Sequence, residues 1–273
     1  MISQQELQAR LDQAAADFHL PGAAIALIQG GKTLTAVTGT TNATTRSPVV
    51  LETLFAAGSV TKVFTASLIM TYVDEGLVAA MQTPQAEMPW GLGYDQMGLG
   101  WTIRKSGGHT MVSHTGANAG AHSSLALVPD QQGAVAVLTN GTTGAAVHAK
   151  LTTEILRESF GVEPAVPAKT PATPVEVNLE RYTGVFIADD GQVTFTIENG
   201  RLRLAPVAAP GLLRSFYLMG LPAPTPDFLT PVSADGRFVA DRGLPVWFID
   251  DGTGRPKYVY VGRIYRREAG GAG

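Results

Sequence analysis

Phe55-Ala56-Ala57-Gly58-Ser59-Val60-Thr61-Lys62 sets a serine one helical turn ahead of a lysine, at the head of an apolar run that reads as a helix over residues 59–77. Residues three apart share a helix face, so the hydroxyl and the amine can meet. A serine hydroxyl is a poor nucleophile until a neighbouring base takes its proton, and a partly desolvated lysine can be that base. S-x-x-K alone recurs by chance, and its weight comes from its surroundings. Val60, Phe64 and Leu68 form one apolar stripe of the helix, and Gly76 near its end is a stop signal.

Upstream, Leu7, Leu11, Ala14, Ala15 and Phe18 recur at helical spacing until Pro21-Gly22 stops the pattern. Residues 23–29 and 33–37 then read as two strands joined tightly through Gly30-Gly31. Downstream, Met, Gln, Pro and Gly crowd residues 79–98 without a period, which predicts loop. Strand patterns return at 101–105, 111–115, 123–128 and 134–139, and 145–159 reads as a closing helix. This order predicts an α+β layer: one antiparallel sheet flanked by helices.

Pro164, Pro167, Pro171 and Pro174 mark an extended linker. Short strands and turns follow, with candidates at 182–187, 193–197, 202–204, 216–219, 237–240, 246–249 and 258–265, and a hairpin turn at Asn199-Gly200. The expected organisation is therefore an α+β domain over residues 1–160, a Pro/Ala-rich linker over 161–176, and an all-β, barrel-like domain over 177–268. The aromatic residues of the last domain, Tyr182, Phe186, Phe216, Phe228, Trp247 and Tyr258 among them, suit a core and a ligand-holding barrel equally well.

Composition narrows the function. The 273 residues are 45% hydrophobic and 16% charged, with a formal net charge of -3 and no basic run, which argues against nucleic acid or an anionic membrane surface as partner. There is no cysteine, so disulfides and thiolate metal sites are excluded. No run is long and apolar enough to cross a bilayer as a helix. Met1-Ile2-Ser3-Gln4-Gln5-Glu6 lacks the form of a signal peptide, which predicts a cytoplasmic protein or one whose leader precedes this numbering. His109, His122 and His148 show no metal-ligand spacing and read as ordinary residues; no cofactor is expected.

Two further features converge with Ser59 and Lys62. His114-Thr115-Gly116 ends a strand-like run, where a glycine lets substrate approach the backbone and the histidine can bind a carboxylate or pass a proton. Gly98-Leu99-Gly100-Trp101 precedes that strand, and Leu138-Thr139-Asn140 ends the next hairpin. With Leu20-Pro21-Gly22-Ala23-Ala24, Tyr72-Val73-Asp74-Glu75-Gly76-Leu77, Gly120 and Leu127-Val128-Pro129, these segments resemble, in order and over roughly residues 5–160, the serine β-lactamase-like family of class C β-lactamases, D-alanyl-D-alanine carboxypeptidases and family VIII esterases. The C-terminal region is similar to the lipocalin-like domain appended to some of these proteins.

The resemblance implies an acyl-enzyme mechanism, with no metal or cofactor. Ser59 would attack the carbonyl, Lys62 would assist as base, and the backbone N–H groups of Ser59 and Ala117 would hold the oxyanion. Thr115 and Gly116 would border the substrate. His114 stands where many relatives carry lysine, which tilts the expectation toward esterase or peptidase chemistry. The implied substrates are small esters, amides or β-lactams.

One departure is large. The family's Y-x-N motif lies on a helical subdomain between the nucleophile helix and the H/K-T-G strand. Here Leu77 runs almost directly into Gly98, and Tyr94-Asp95-Gln96 lacks the asparagine. A rival reading follows: a catalytically impaired remnant serving as a binding or oligomerisation module, with an uncovered apolar surface and a homodimer as its expected assembly.

Overall fold

The computed structural model describes residues 1–42, 44–71, 80–88, 95–118, 120–163, 175–189, 191–210, 213, 224–250 and 252–268. These fall into two compact units. The first holds the described residues of Met1–Met88 and Tyr94–Pro164, the second those of Ala165–Tyr217 and Pro222–Gly273.

The first unit opens on helix α1 (Gln4–Asp17), whose N-cap Ser3 accepts the amide of Glu6 at 3.2 Å. Strands β1 (Gly22–Gln29) and β2 (Lys32–Gly39) follow as a hairpin. A 3₁₀ turn at Gly58–Val60 leads into helix α2 (Thr61–Thr71). Two-residue strands β3 (Ala86–Glu87) and β4 (Gln96–Met97) precede β5 (Thr102–Ser106), β6 (His109–Asn118), β7 (Ala121–Val128) and β8 (Gly133–Thr139). Helix α3 (Gly144–Phe160) closes the unit. The eight strands form one antiparallel sheet in the order β2-β1-β8-β7-β6-β5-β4-β3.

Alternation along the strands gives the sheet two apolar faces. On one, Ile25, Leu27, Val135 and Val137 pack with Leu7 and Leu11 of α1 and Leu151 and Ile155 of α3. On the other, Val63 of α2 packs with Met81, Trp101, Ile103 and Val112. That second contact corrects the stripe expected for α2. Val60 is buried, but Phe64 is 62% exposed and Leu68 is also exposed. The helix turns Val63 and Ala66 toward the sheet instead, a face one step round from Phe64. The loop expected over 79–98 also contains β3 and β4, too short to leave a period. Gly76 and the end of the predicted helix at Leu77 lie outside the described residues.

The second unit is a closed, eight-stranded antiparallel barrel: β9 (Gly184–Ala188), β10 (Gly191–Glu198), β11 (Arg201–Ala208), β12 (Asp227–Ser233), β13 (Arg237–Ala240), β14 (Pro245–Ile249), β15 (Tyr258–Tyr260) and β16 (Ile264–Arg267), with β16 pairing β9. Asn199 (φ 52°) and Gly200 (φ 74°) turn the β10–β11 hairpin. Tyr182 belongs to a 3₁₀ turn, Leu179–Tyr182, rather than to the strand predicted from 182, and the predicted 258–265 strand is two strands. The sequence reading missed β12 because Pro231 interrupts it; the strand tolerates that proline beside a break in register. The strand predicted at 216–219 and the run 164–174 lie outside the described residues. Tyr182, Phe186, Phe195, Phe238 and Phe248 pack together in the barrel, mostly edge to face with the Tyr182–Phe248 pair tilted, ring centroids 4.8–5.8 Å apart.

Candidate active site

Ser59 sits in the 3₁₀ turn immediately before α2, and the turn is shaped by the residues around it. Gly58 has φ 54°, in the left-handed region that favours glycine. The Ala57 carbonyl accepts the amide of Val60 at 3.2 Å and the Ser123 hydroxyl at 2.5 Å. From this turn Lys62 Nζ reaches back to Ser59 Oγ and donates to it at 2.7 Å. The lysine is exposed and Ser59 half-buried, so the pair opens to solvent.

Strand β6 supplies the facing wall. Its ladder with β5 ends at Ser113, so His114 to Asn118 pair only with β7. The Gly58–Val60 turn packs against β6. The fit is close enough that neither chain tolerates a side chain there. A Cβ on Gly58 would lie 2.8 Å from the Ala117 nitrogen, and a Cβ on Gly116 would lie 2.8 Å from the Ser59 nitrogen and nearer still to Ala57 O and Ser123 Oγ. The two glycines therefore interlock, and they draw the amides of Ser59 and Ala117 to one junction. That junction lies at the start of α2, whose dipole favours negative charge.

His114 lies two residues before Gly116, on the same side of β6, opposite Leu125 as Gly116 is opposite Ser123. Its Nδ1 is 2.6 Å from the Thr115 carbonyl oxygen. A carbonyl only accepts, so Nδ1 is the donor in this contact. Thr115 and Ala117 alternate to the other side of the strand. Thr115, expected among the substrate-bordering residues, is thus exposed on the side away from Gly116. The structure brings together Ser59, Lys62, Gly116 and Ala117, with His114 one pleat away, and leaves the Thr115 side chain apart. Tyr72 and Tyr94, the tyrosines of the first 160 residues, lie outside the described residues.

The sequence reading undervalued two groups. Ser123 is a strand-end serine of the kind usually solvated, yet it is 1% exposed and donates to the Ala57 carbonyl beside the Gly58–Val60 turn. His122 and His148 are buried side by side, centroids 6.2 Å apart, on the face opposite Ser123. Thr139 Oγ1 lies 3.4 Å from His148 Nε2 and donates to the His122 carbonyl at 3.2 Å, while His122 Nε2 has no hydrogen-bond partner among the described residues. Burial lowers both imidazoles, His148 to about 4, where the neighbouring His122 adds a smaller push. His148 could have been found in the sequence, since it shares the buried stripe of α3 with Leu151 and Ile155. His109 Nδ1 lies 2.5 Å from Asp130 Oδ2, and no cluster of three metal-capable side chains occurs among the described residues.

Known proteins bear on this geometry at three levels. Structures of SurE, alone and with D-Leu, match with TM-scores of 0.79 and 0.76, each over 97% of this chain and 99% of that one at 16% identity; this likeness is one of fold. Penicillin-binding protein 4 of Amycolatopsis lactamdurans is 38% identical over 69 residues, which make up 25% of this chain and 18% of that relative. The β-lactamase family model matches residues 7–82 and again 78–159, together more than half of the 273 residues. Both matched segments lie within the unit whose sheet and α2 carry the serine–lysine turn, and on that match the chain belongs to the β-lactamase family.

Proposed function

We propose that the protein is a serine hydrolase of esterase, β-lactamase or D-amino-acid peptidase type, acting on small esters or amides through an acyl-enzyme at Ser59. The observation that carries this reading is the 2.7 Å approach of Lys62 Nζ to Ser59 Oγ on a turn locked against β6. In the reactive state the neutral amine accepts the Ser59 proton while Oγ bonds to the substrate carbonyl carbon. The carbonyl electrons move to its oxygen, which the amides of Ser59 and Ala117 receive. Collapse expels the alkoxide or amine, which takes the proton from Lys62. Water then cleaves the Ser59 ester by the reverse route. His114, on the same strand face as Gly116, stands where many relatives carry lysine and helps to bind substrate or to shuttle a proton.

The test is intact-protein mass spectrometry after exposure to penicillin, a p-nitrophenyl ester and a D-leucyl ester. The last is included because this fold has been solved with D-Leu. The reading requires an acyl adduct that maps to Ser59 and vanishes in Ser59→Ala; turnover unchanged in that variant refutes it.

A second reading has its own observation. Leu51, Leu54 and Phe64 of the first unit are each more than half exposed, Leu54 almost completely. Apolar side chains left open in this way favour association. A remnant that has exchanged catalysis for self-association predicts no Ser59 adduct and a dimer in sedimentation velocity. A monomer over a wide concentration range counts against it.

A further inference from the structure

One end of the barrel is formed by the start of β10, the end of β11, the start of β12 and the β13–β14 and β15–β16 turns. A cavity of about 470 Å³ opens there, a size typical of small-molecule sites, and barrel mouths are among the places such sites occur. Leu204 and Tyr265 of the barrel core form part of its wall. Its apolar lining includes Leu204, Val207, Leu244, Val261 and Tyr265.

Its polar side is built. Asp227 is 8% exposed and takes two hydrogen bonds from Arg242, through the backbone amide at 3.4 Å and through Nε at 2.9 Å. The guanidinium is held further by Nη1 to Thr225 Oγ1 at 2.6 Å and Nη2 to the Thr225 carbonyl at 2.8 Å. A guanidinium has five N–H donors. Among the described residues three are engaged, which leaves one on each terminal nitrogen of a rigidly held, half-exposed side chain. Arg263 also lines the cavity.

We propose that this mouth binds a small amphiphile with an apolar body and a carboxylate head, the body against Leu204, Leu244, Val261 and Tyr265 and the head on the spare N–H donors of Arg242. A fixed guanidinium suits a carboxylate because little rotamer freedom is lost on binding. The proposal does not depend on Ser59 chemistry.

The experiment titrates the full chain with decanoate, decanol and decyltrimethylammonium below their micelle concentrations, by calorimetry and by amide chemical shifts. Decanoate is expected to bind saturably at one site, shifting the amides of Leu204, Leu244 and Gly262, with decanol at least tenfold weaker and the cation weaker still. Leu244→Trp, which fills the opening from a turn, is expected to cut decanoate affinity at least tenfold. Arg242→Lys keeps the ion pair with Asp227 but loses the fork, and should bring decanoate down to the affinity of decanol while leaving decanol unchanged. Circular dichroism checks that both variants keep the fold. Absence of saturable binding, equal affinity for the three probes, or indifference to both substitutions overturns the proposal.

Discussion

The two faces of the eight-stranded sheet are built to different standards. Toward α1 and α3 the sheet is sealed: Leu7, Leu11, Leu27, Val135, Val137, Leu151 and Ile155 are all fully buried. Toward α2 it is sealed only near Val63, Trp101, Ile103 and Val112, while Leu125 and Leu127 are half-covered and Ile28 and Phe64 are open. Ser59, Lys62, His114 and Ser123 belong to the thinly covered face. The sealed face holds the fold and the open face presents Ser59, Lys62 and His114, so under the proposed hydrolase reading changes on the two should separate into effects on stability and effects on activity. On that reading the asymmetry has a physical reason, since a hydroxyl that meets substrate cannot also be buried under a helix.

The sharpest way to break this separation is Ser59→Ala. Hydrolysis of an activated ester should fall by at least about 10³-fold while the urea midpoint stays put. A large shift in midpoint would mean that the nucleophile turn is a stability element after all. On the other face, Leu151→Ala should cost roughly 2–5 kcal/mol in equilibrium unfolding, because it empties a site between α3 and the sheet. Its effect on the rate constant of the remaining folded protein should be small.

The buried histidines give the comparison a pH axis. The folded-state value of His148, about 4, lies below that of the unfolded imidazole, near 6.5, so between these values the unfolded chain binds more protons. Stability is therefore full above about pH 6.5 and is lost as the pH falls toward 4, by up to roughly 3 kcal/mol if the proton is wholly refused. The lowered His122 acts in the same direction. Urea titrations at several pH values should show this slope, and His148→Gln should flatten it. A slope of opposite sign would place a charged histidine in the fold.

Ser123→Ala tests the contact between strand and turn. Loss of the bond to Ala57 O should cost about 1 kcal/mol and lower kcat several-fold with little change in KM. Phe64→Ser should be the mildest, within about 0.5 kcal/mol, because the ring is exposed. If it instead abolishes a dimer seen in sedimentation, the open face is an interface.

Much of this was legible in the chain. Period-2 runs located β1, β2, β5, β6, β7 and β8, helical spacing located α1 and α3, and Asn199-Gly200 announced its hairpin. The misses share a cause. β3 and β4 are too short to carry a period, and Pro231 disguises β12. Phe64 and Leu68 make a stripe as convincing as the one α2 uses, so only the position of the sheet could choose between them. At the candidate site, local spacing was enough to bring Ser59 and Lys62 together, as their 2.7 Å contact shows, and His114 was singled out by the motif it sits in. Ser123 was not, since its partner is Ala57, 66 residues away in sequence.

By itself, then, the order of residues determined the serine–lysine pair, the layered α+β unit and the β-rich unit after it. Those follow from interactions within a few residues: helical spacing, strand alternation and turn chemistry. Tertiary structure alone decided which side of α2 is buried, that Gly58 and Gly116 interlock to set the Ser59 and Ala117 amides at one junction, and that Thr115 faces away. Those outcomes depend on the register of β6 against a distant turn, a long-range geometry that no local pattern encodes.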